Sequence, residues 1–183
     1  MPVIWLIFTS AASVILEVCL GHFGFTIPLT AMTGFYLAVA YTWRKAIICF
    51  MASCVLLDLG FGRPFPVSWL MVPFVMLLAQ YWRQHGNTTE RLLQVIPGLA
   101  VGAGAIACTT IYGTMRSFLS ETPSDSVSTH MVLQALLSSF ILMPVLTLLL
   151  DSLANPLALR RYASSIRNLF FDEDENSWQD PDE

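Results

Sequence analysis

Six apolar stretches separated by short polar or Gly/Pro turns predict an all-α integral membrane protein of six transmembrane helices with both termini cytoplasmic. The chain is 55% hydrophobic and only 12% charged, whereas soluble domains are roughly a quarter charged. Its 183 residues, at about 20 residues per crossing, leave no room for a separate soluble domain. Six crossings also sort the cations. Arg44, Lys45, Arg83, Arg91, Arg160, Arg161 and Arg167 fall on one side, and only Arg63 and Arg116 on the other. That partition obeys the positive-inside rule and assigns the richer side to the cytoplasm.

The first stretch, about Val3 to Leu20, continues toward Gly21 and lacks a positive start, so it reads as a retained span and not a cleaved signal. The second, about Pro28 to Thr42, and the third, about Arg44 to Leu59, are near the short limit for spanning. The fourth covers about Pro66 to Trp82, the fifth Leu92 to Phe118 and the sixth His130 to Ala154. Trp5, Trp43, Trp69, Tyr81 and Trp82 stand near stretch ends, where amphipathic rings favour the headgroup level. Pro73, Pro97 and Pro144 are expected to kink their helices.

Residues 1–154 therefore form the six-helix domain. Asn155-Pro156 breaks the last helix, and residues 155–171 read as a cytoplasmic amphipathic segment, with Leu159, Tyr162, Ile166 and Phe170 at helical spacing among Arg160, Arg161 and Arg167. Residues 172–183 hold seven of the thirteen acidic side chains, too charged to pack, and read as a disordered tail. Without the tail the formal charge of −4 becomes +3. The scattered cations offer no nucleic-acid footprint. Asn87-Thr88-Thr89 spells a glycosylation sequon, but a cytoplasmic loop does not meet that machinery. The longest outer connection, Ser120 to Ser128, is too small for a catalytic domain.

The stretch Leu56-Leu57-Asp58-Leu59-Gly60-Phe61-Gly62-Arg63-Pro64-Phe65-Pro66-Val67-Ser68-Trp69-Leu70 organises the rest. It ends one apolar run on an aspartate and turns the chain into the next. An acid at the end of a span is costly against acyl chains, so Asp58 is expected to face protein, a cavity or headgroups. Three roles stand open for it: capping the turn, through backbone N–H groups around Gly60 to Gly62 or through Arg63; contact with a partner; or transport. Glu17 shares the outer side with Asp58, whereas Asp151 lies toward the inner side, and these three make no continuous proton or cation relay. Asp151 is expected in a local ion pair near Arg160 and Arg161, or at the interface.

Catalysis is not expected. His22, His85 and His130 sit at stretch ends on both sides of the membrane, and no serine in a span has a base beside it. Cys19, Cys49, Cys54 and Cys108 lie inside apolar runs without metal-ligand spacing and read as small core residues. No metal or cofactor is called for. The fifth stretch carries Gly98, Gly102 and Gly104 among alanines. Such small residues let another helix approach closely, either within the chain or from a partner.

The hairpin and layout resemble the rod shape-determining protein MreD family. The residues that carry the resemblance are Leu57, Asp58, Leu59, Gly62, Val67 and Leu70, with Pro66 where the family pattern has its second glycine. Pro28 and Leu29 opening the second span, and Arg44 and Lys45 before the third, fit the same layout. The resemblance implies a multi-pass, non-catalytic subunit of the bacterial inner membrane, part of the elongation machinery that sets cell shape. Such a subunit binds an MreC-type membrane scaffold and links the cytoskeleton to peptidoglycan synthesis, with Asp58, Gly62, Arg63 and Pro66 as the possible partner contact. It also implies an architecture like that of energy-coupling factor substrate subunits. The alternative is accordingly a substrate-binding membrane subunit of an energy-coupling factor vitamin transporter.

Overall fold

A computed structural model describes residues 2–41, 43–63, 67–85, 91–120 and 129–156, all helix or short connection, with no strand among them. Pro66, the loops 86–90 and 121–128, the amphipathic segment from residue 157 onward and the acidic tail lie outside the described residues. The six apolar stretches are six α-helices: α1 (Pro2–His22), α2 (Leu29–Ala40), α3 (Trp43–Gly60), α4 (Met71–His85), α5 (Val95–Ser120) and α6 (Thr129–Ala154). Short 3-10 turns, Val67–Leu70 and Arg91–Gln94, lead into α4 and α5. Three regions, Val3–His22 in α1, Val95–Met115 in α5 and all of α6, are long and apolar enough to cross a membrane. The molecule thus has the make-up of a membrane protein.

Successive helices run antiparallel, and cross-chain bonds fix which ends meet. The C-terminal part of α1 touches the start of α2 through Glu17 and Thr30. The end of α3 meets the turn before α4 through Asp58 and Ser68. The middle of α2 reaches the end of α6 through Tyr36 and Asp151. One end of the bundle therefore holds Glu17, Asp58 and Arg63, and the opposite end holds Asp151, Arg44, Lys45 and Arg83.

The central element is α2. Every residue from Leu29 to Ala40 is buried, and the helix packs on all five others. The sequence suggests a short span adapted to lipid by small tilt or local thinning. Instead, protein surrounds this helix on all sides, so its 12 residues, about 18 Å of axial rise, need not match the roughly 30 Å hydrocarbon layer. Phe35, Tyr36, Leu37, Val39, Phe50, Val75, Val101 and Met143 make the core around it. The opposite pattern covers the outside. Ile4, Ile7 and Phe8 on α1, Ile48 and Leu59 on α3, Leu77 on α4, and Leu133 and Ile141 on α6 are exposed, as lipid-facing side chains are.

Two sequence expectations change in detail. Pro73 and Pro97 are each the third residue of their α-helix, in the first turn, where a missing N–H breaks no intrahelical bond. Only Pro144 sits in a helix interior. Of the aromatic side chains expected at headgroup level, Trp43, Trp69 and Tyr81 are exposed, but Trp5 and Trp82 are buried in the core.

Candidate functional site

The end of α3 closes as a Schellman motif. Arg63 N–H donates to the Asp58 carbonyl at 2.9 Å and Gly62 N–H to the Leu59 carbonyl at 3.0 Å, the 6→1 and 5→2 bonds of that cap. Gly62 takes φ +62°, a left-handed conformation that costs any residue with a Cβ.

A carboxylate in the last turn of a helix faces the negative end of the helix dipole, and Asp58 is also only 3% exposed. Its charge needs donors, and three converge. The Ser68 hydroxyl donates to Oδ1 at 2.7 Å and the Ser68 backbone N–H to Oδ2 at 3.0 Å. Arg63 Nη1 donates to Oδ1 at 3.2 Å. The N–H that Asp58 accepts thus belongs to Ser68, across the turn, and not to Gly60–Gly62. This one side chain fastens the end of α3 to the start of the 3-10 turn before α4. Arg63 is held in turn over the rings of Phe61, 5.0 Å from its centroid, and Tyr112 on α5, at 5.8 Å.

Glu17 does the same work for α2. Pro28, at the N-cap of that helix, offers no side-chain cap, and Glu17 Oε2 on α1 accepts the Thr30 N–H at 2.6 Å instead. A carboxylate at a helix N-terminus is favoured by the dipole as well as by the bond. Beside these two fastenings lie two adjoining cavities of about 80 and 240 Å³, which share Glu17, Pro28, Arg63, Ala105 and Thr109 in their walls.

Three glycines of α5, Gly98, Gly102 and Gly104, face neighbours within the chain. A Cβ on Gly98 would stand 2.7 Å from both the Ser139 carbonyl oxygen and the Met143 Cβ of α6, and one on Gly102 would stand 2.7 Å from Ser139 Oγ. Gly104 meets the Phe74 ring of α4 at 2.5 Å on the same test. At the far end, Tyr36 O–H donates to Asp151 Oδ1 at 2.7 Å, and the Thr147 hydroxyl contacts the side-chain amide of Gln94.

His22 and His85 contact carbonyls of their own helices at opposite ends of the bundle. None of the four cysteines is in a disulfide. No group of three His, Cys, Asp or Glu side chains is placed to hold a metal among the described residues. The chemistry on offer at the Asp58 end is hydrogen bonding and charge pairing. Ser68, Thr30 and Tyr36 escape sequence reasoning because their carboxylate partners lie 10 to 115 positions away. The one available signal is that each buried acid must find donors somewhere.

Comparison with family models, with curated proteins and with solved structures finds no match.

Proposed function

We propose that the chain is a non-catalytic, six-span subunit of the bacterial inner membrane. In this reading it belongs with the MreD-like proteins of the elongation machinery, both termini are cytoplasmic, and an MreC-type scaffold is its partner. The observation that carries the reading is the Asp58 fastening: among the described residues behind the resemblance, Leu57 to Gly62 and Val67 to Leu70, the aspartate joins the end of α3 to the 3-10 turn before α4 through Ser68, with Arg63 beside it. A buried carboxylate used in this way holds two elements together, a structural role consistent with a scaffold subunit. Two further observations support the reading. The helices alternate in direction, and Arg44, Lys45 and Arg83 lie at the end opposite Arg63, as the positive-inside rule requires of six crossings.

The test is co-purification from detergent of the tagged chain with an MreC-type protein of the same cell, together with depletion. Recovery of the scaffold and loss of rod shape on depletion are the expected results. Absence of the scaffold combined with normal shape refutes the reading. Cysteine labelling of residues 84–90 should occur only from the cytoplasmic face, and labelling from outside overturns the topology.

A further inference from the structure

Most of the polar groups at the Asp58 end are consumed in holding helices, but two keep capacity to spare. A guanidinium carries five N–H donors, and among the described residues that of Arg63 makes one hydrogen bond, to Asp58 Oδ1. A carboxylate offers about four acceptor positions, and Glu17 Oε2 accepts a short bond from the Thr30 backbone N–H. Both side chains line both cavities, and no ion pair joins them to each other. Arg63, although paired with Asp58, and Glu17 thus set groups of opposite charge on the wall of a shared cavity without a direct bond between them, which forms a dipolar receptor.

The remaining walls of the larger cavity are largely apolar, with Phe25, Phe61, Ile106, Met131 and Val132 among them, and Thr109 adds a hydroxyl. Its volume of about 240 Å³ exceeds the roughly 150 Å³ that suffices for a benzene-sized guest. The guanidinium is pre-organised, because the Phe61 and Tyr112 rings and the Asp58 carboxylate fix its plane, which lowers the cost of holding a guest.

We infer that this cavity binds a small zwitterionic amphiphile, whose acidic group accepts hydrogen bonds from Arg63, whose ammonium donates to Glu17, and whose apolar body lies along Phe25, Ile106 and Met131. That chemistry has two sources: the headgroup region of phosphatidylethanolamine, or a free apolar amino acid. The inference is independent of the scaffold reading, because a subunit with either role can hold such a molecule.

The experiment uses the full chain, purified and reconstituted separately with phosphatidylethanolamine or phosphatidylglycerol. Retained lipid is counted by native mass spectrometry, and thermal unfolding is followed with and without leucine or phenylalanine. Glu17→Gln keeps an acceptor for Thr30 but removes the charge facing the ammonium. Ala105→Phe fills the space shared by both cavities.

Retention of phosphatidylethanolamine over phosphatidylglycerol, weakened about tenfold by Glu17→Gln as expected for loss of one charged hydrogen bond, identifies the lipid. A rise in unfolding temperature with leucine or phenylalanine, lost in Glu17→Gln, identifies the free amino acid. Where Glu17→Gln does not fold, Ala105→Phe decides, and it must abolish the same signal. Retention of neither class, or binding unchanged in a folded Glu17→Gln or Ala105→Phe protein, overturns the inference.

Discussion

Removing the Asp58 carboxylate should loosen the α3–α4 hairpin more than any other single change at that end of the bundle. Asp58→Ala leaves two Ser68 donors without their acceptor, one a backbone N–H at 3.0 Å and one a hydroxyl at 2.7 Å. Hydrogen bonds to a buried charge are worth about 1.5 kcal/mol or more apiece. The Arg63 pair adds about 1 kcal/mol and no more, because the guanidinium side chain is 25% exposed and solvent screens it. The expected loss is therefore about 4 kcal/mol. Asp58→Asn keeps one oxygen for Ser68 and should lose about 2 kcal/mol, and Arg63→Met about 1 kcal/mol. Combining Asp58→Asn with Arg63→Met should reveal a coupling of about 1 kcal/mol, the part of the energy the two side chains share. The assay is unfolding of the purified chain from mild detergent by titration with dodecyl sulfate, read by tryptophan fluorescence. Under the proposed function, recovery of the MreC-type scaffold should fall in the same order, Ala below Asn. Equal stability of Asp58→Ala and the parent refutes the fastening, and a coupling of zero refutes the ion pair.

Other substitutions have expected signs that the same titration reads. In Gly98→Ala the new Cβ would meet the Ser139 carbonyl oxygen at 2.7 Å, so α5 and α6 must part. The overpacking cost of roughly 1–3 kcal/mol should outweigh the roughly 1 kcal/mol gain in helix propensity. Gly113→Ala meets nothing within 4 Å and should stabilise by about 0.5–1 kcal/mol, so stabilisation by both changes would falsify the close α5–α6 contact. Gly62→Ala, at φ +62°, should cost about 1–2 kcal/mol, and Gly62→Asn less, since asparagine tolerates that conformation better. Tyr36→Phe removes the 2.7 Å bond to Asp151 and should cost about 2 kcal/mol; a null effect would show that this bond adds nothing to bundle stability.

The helices were legible because a membrane demands long apolar runs and punishes polar interruptions, so the limits of α3 and the start of α6 follow from where Arg44, Gly60 and Thr129 stand. What hydropathy hides is which runs touch lipid. Acyl chains are as apolar as leucine, and Leu29–Ala40 reads like any other span, although all of it is enclosed by protein. The glycines of α5 were visible as a close-approach signal, but their partner helix was not, since spacing alone does not say whose Ser139 lies opposite. Asp58 stood out by its cost. Its union with Ser68 did not, because the intervening turn sets that distance and a turn of two glycines and two prolines has no periodicity to read. Glu17 as the cap of α2 was equally out of reach, for the cap comes from a different helix.

The shortness of α2 also bears on how the molecule is hollowed. Its roughly 18 Å of rise stands inside a ring containing two helices of 26 residues, each about 39 Å long. A short axle inside taller staves leaves room beyond its tip, and Pro28, Thr30 and Ala31 at that tip line the smaller cavity. Lengthening the axle by one helical turn at that tip would push it into the cavity and fill it from within.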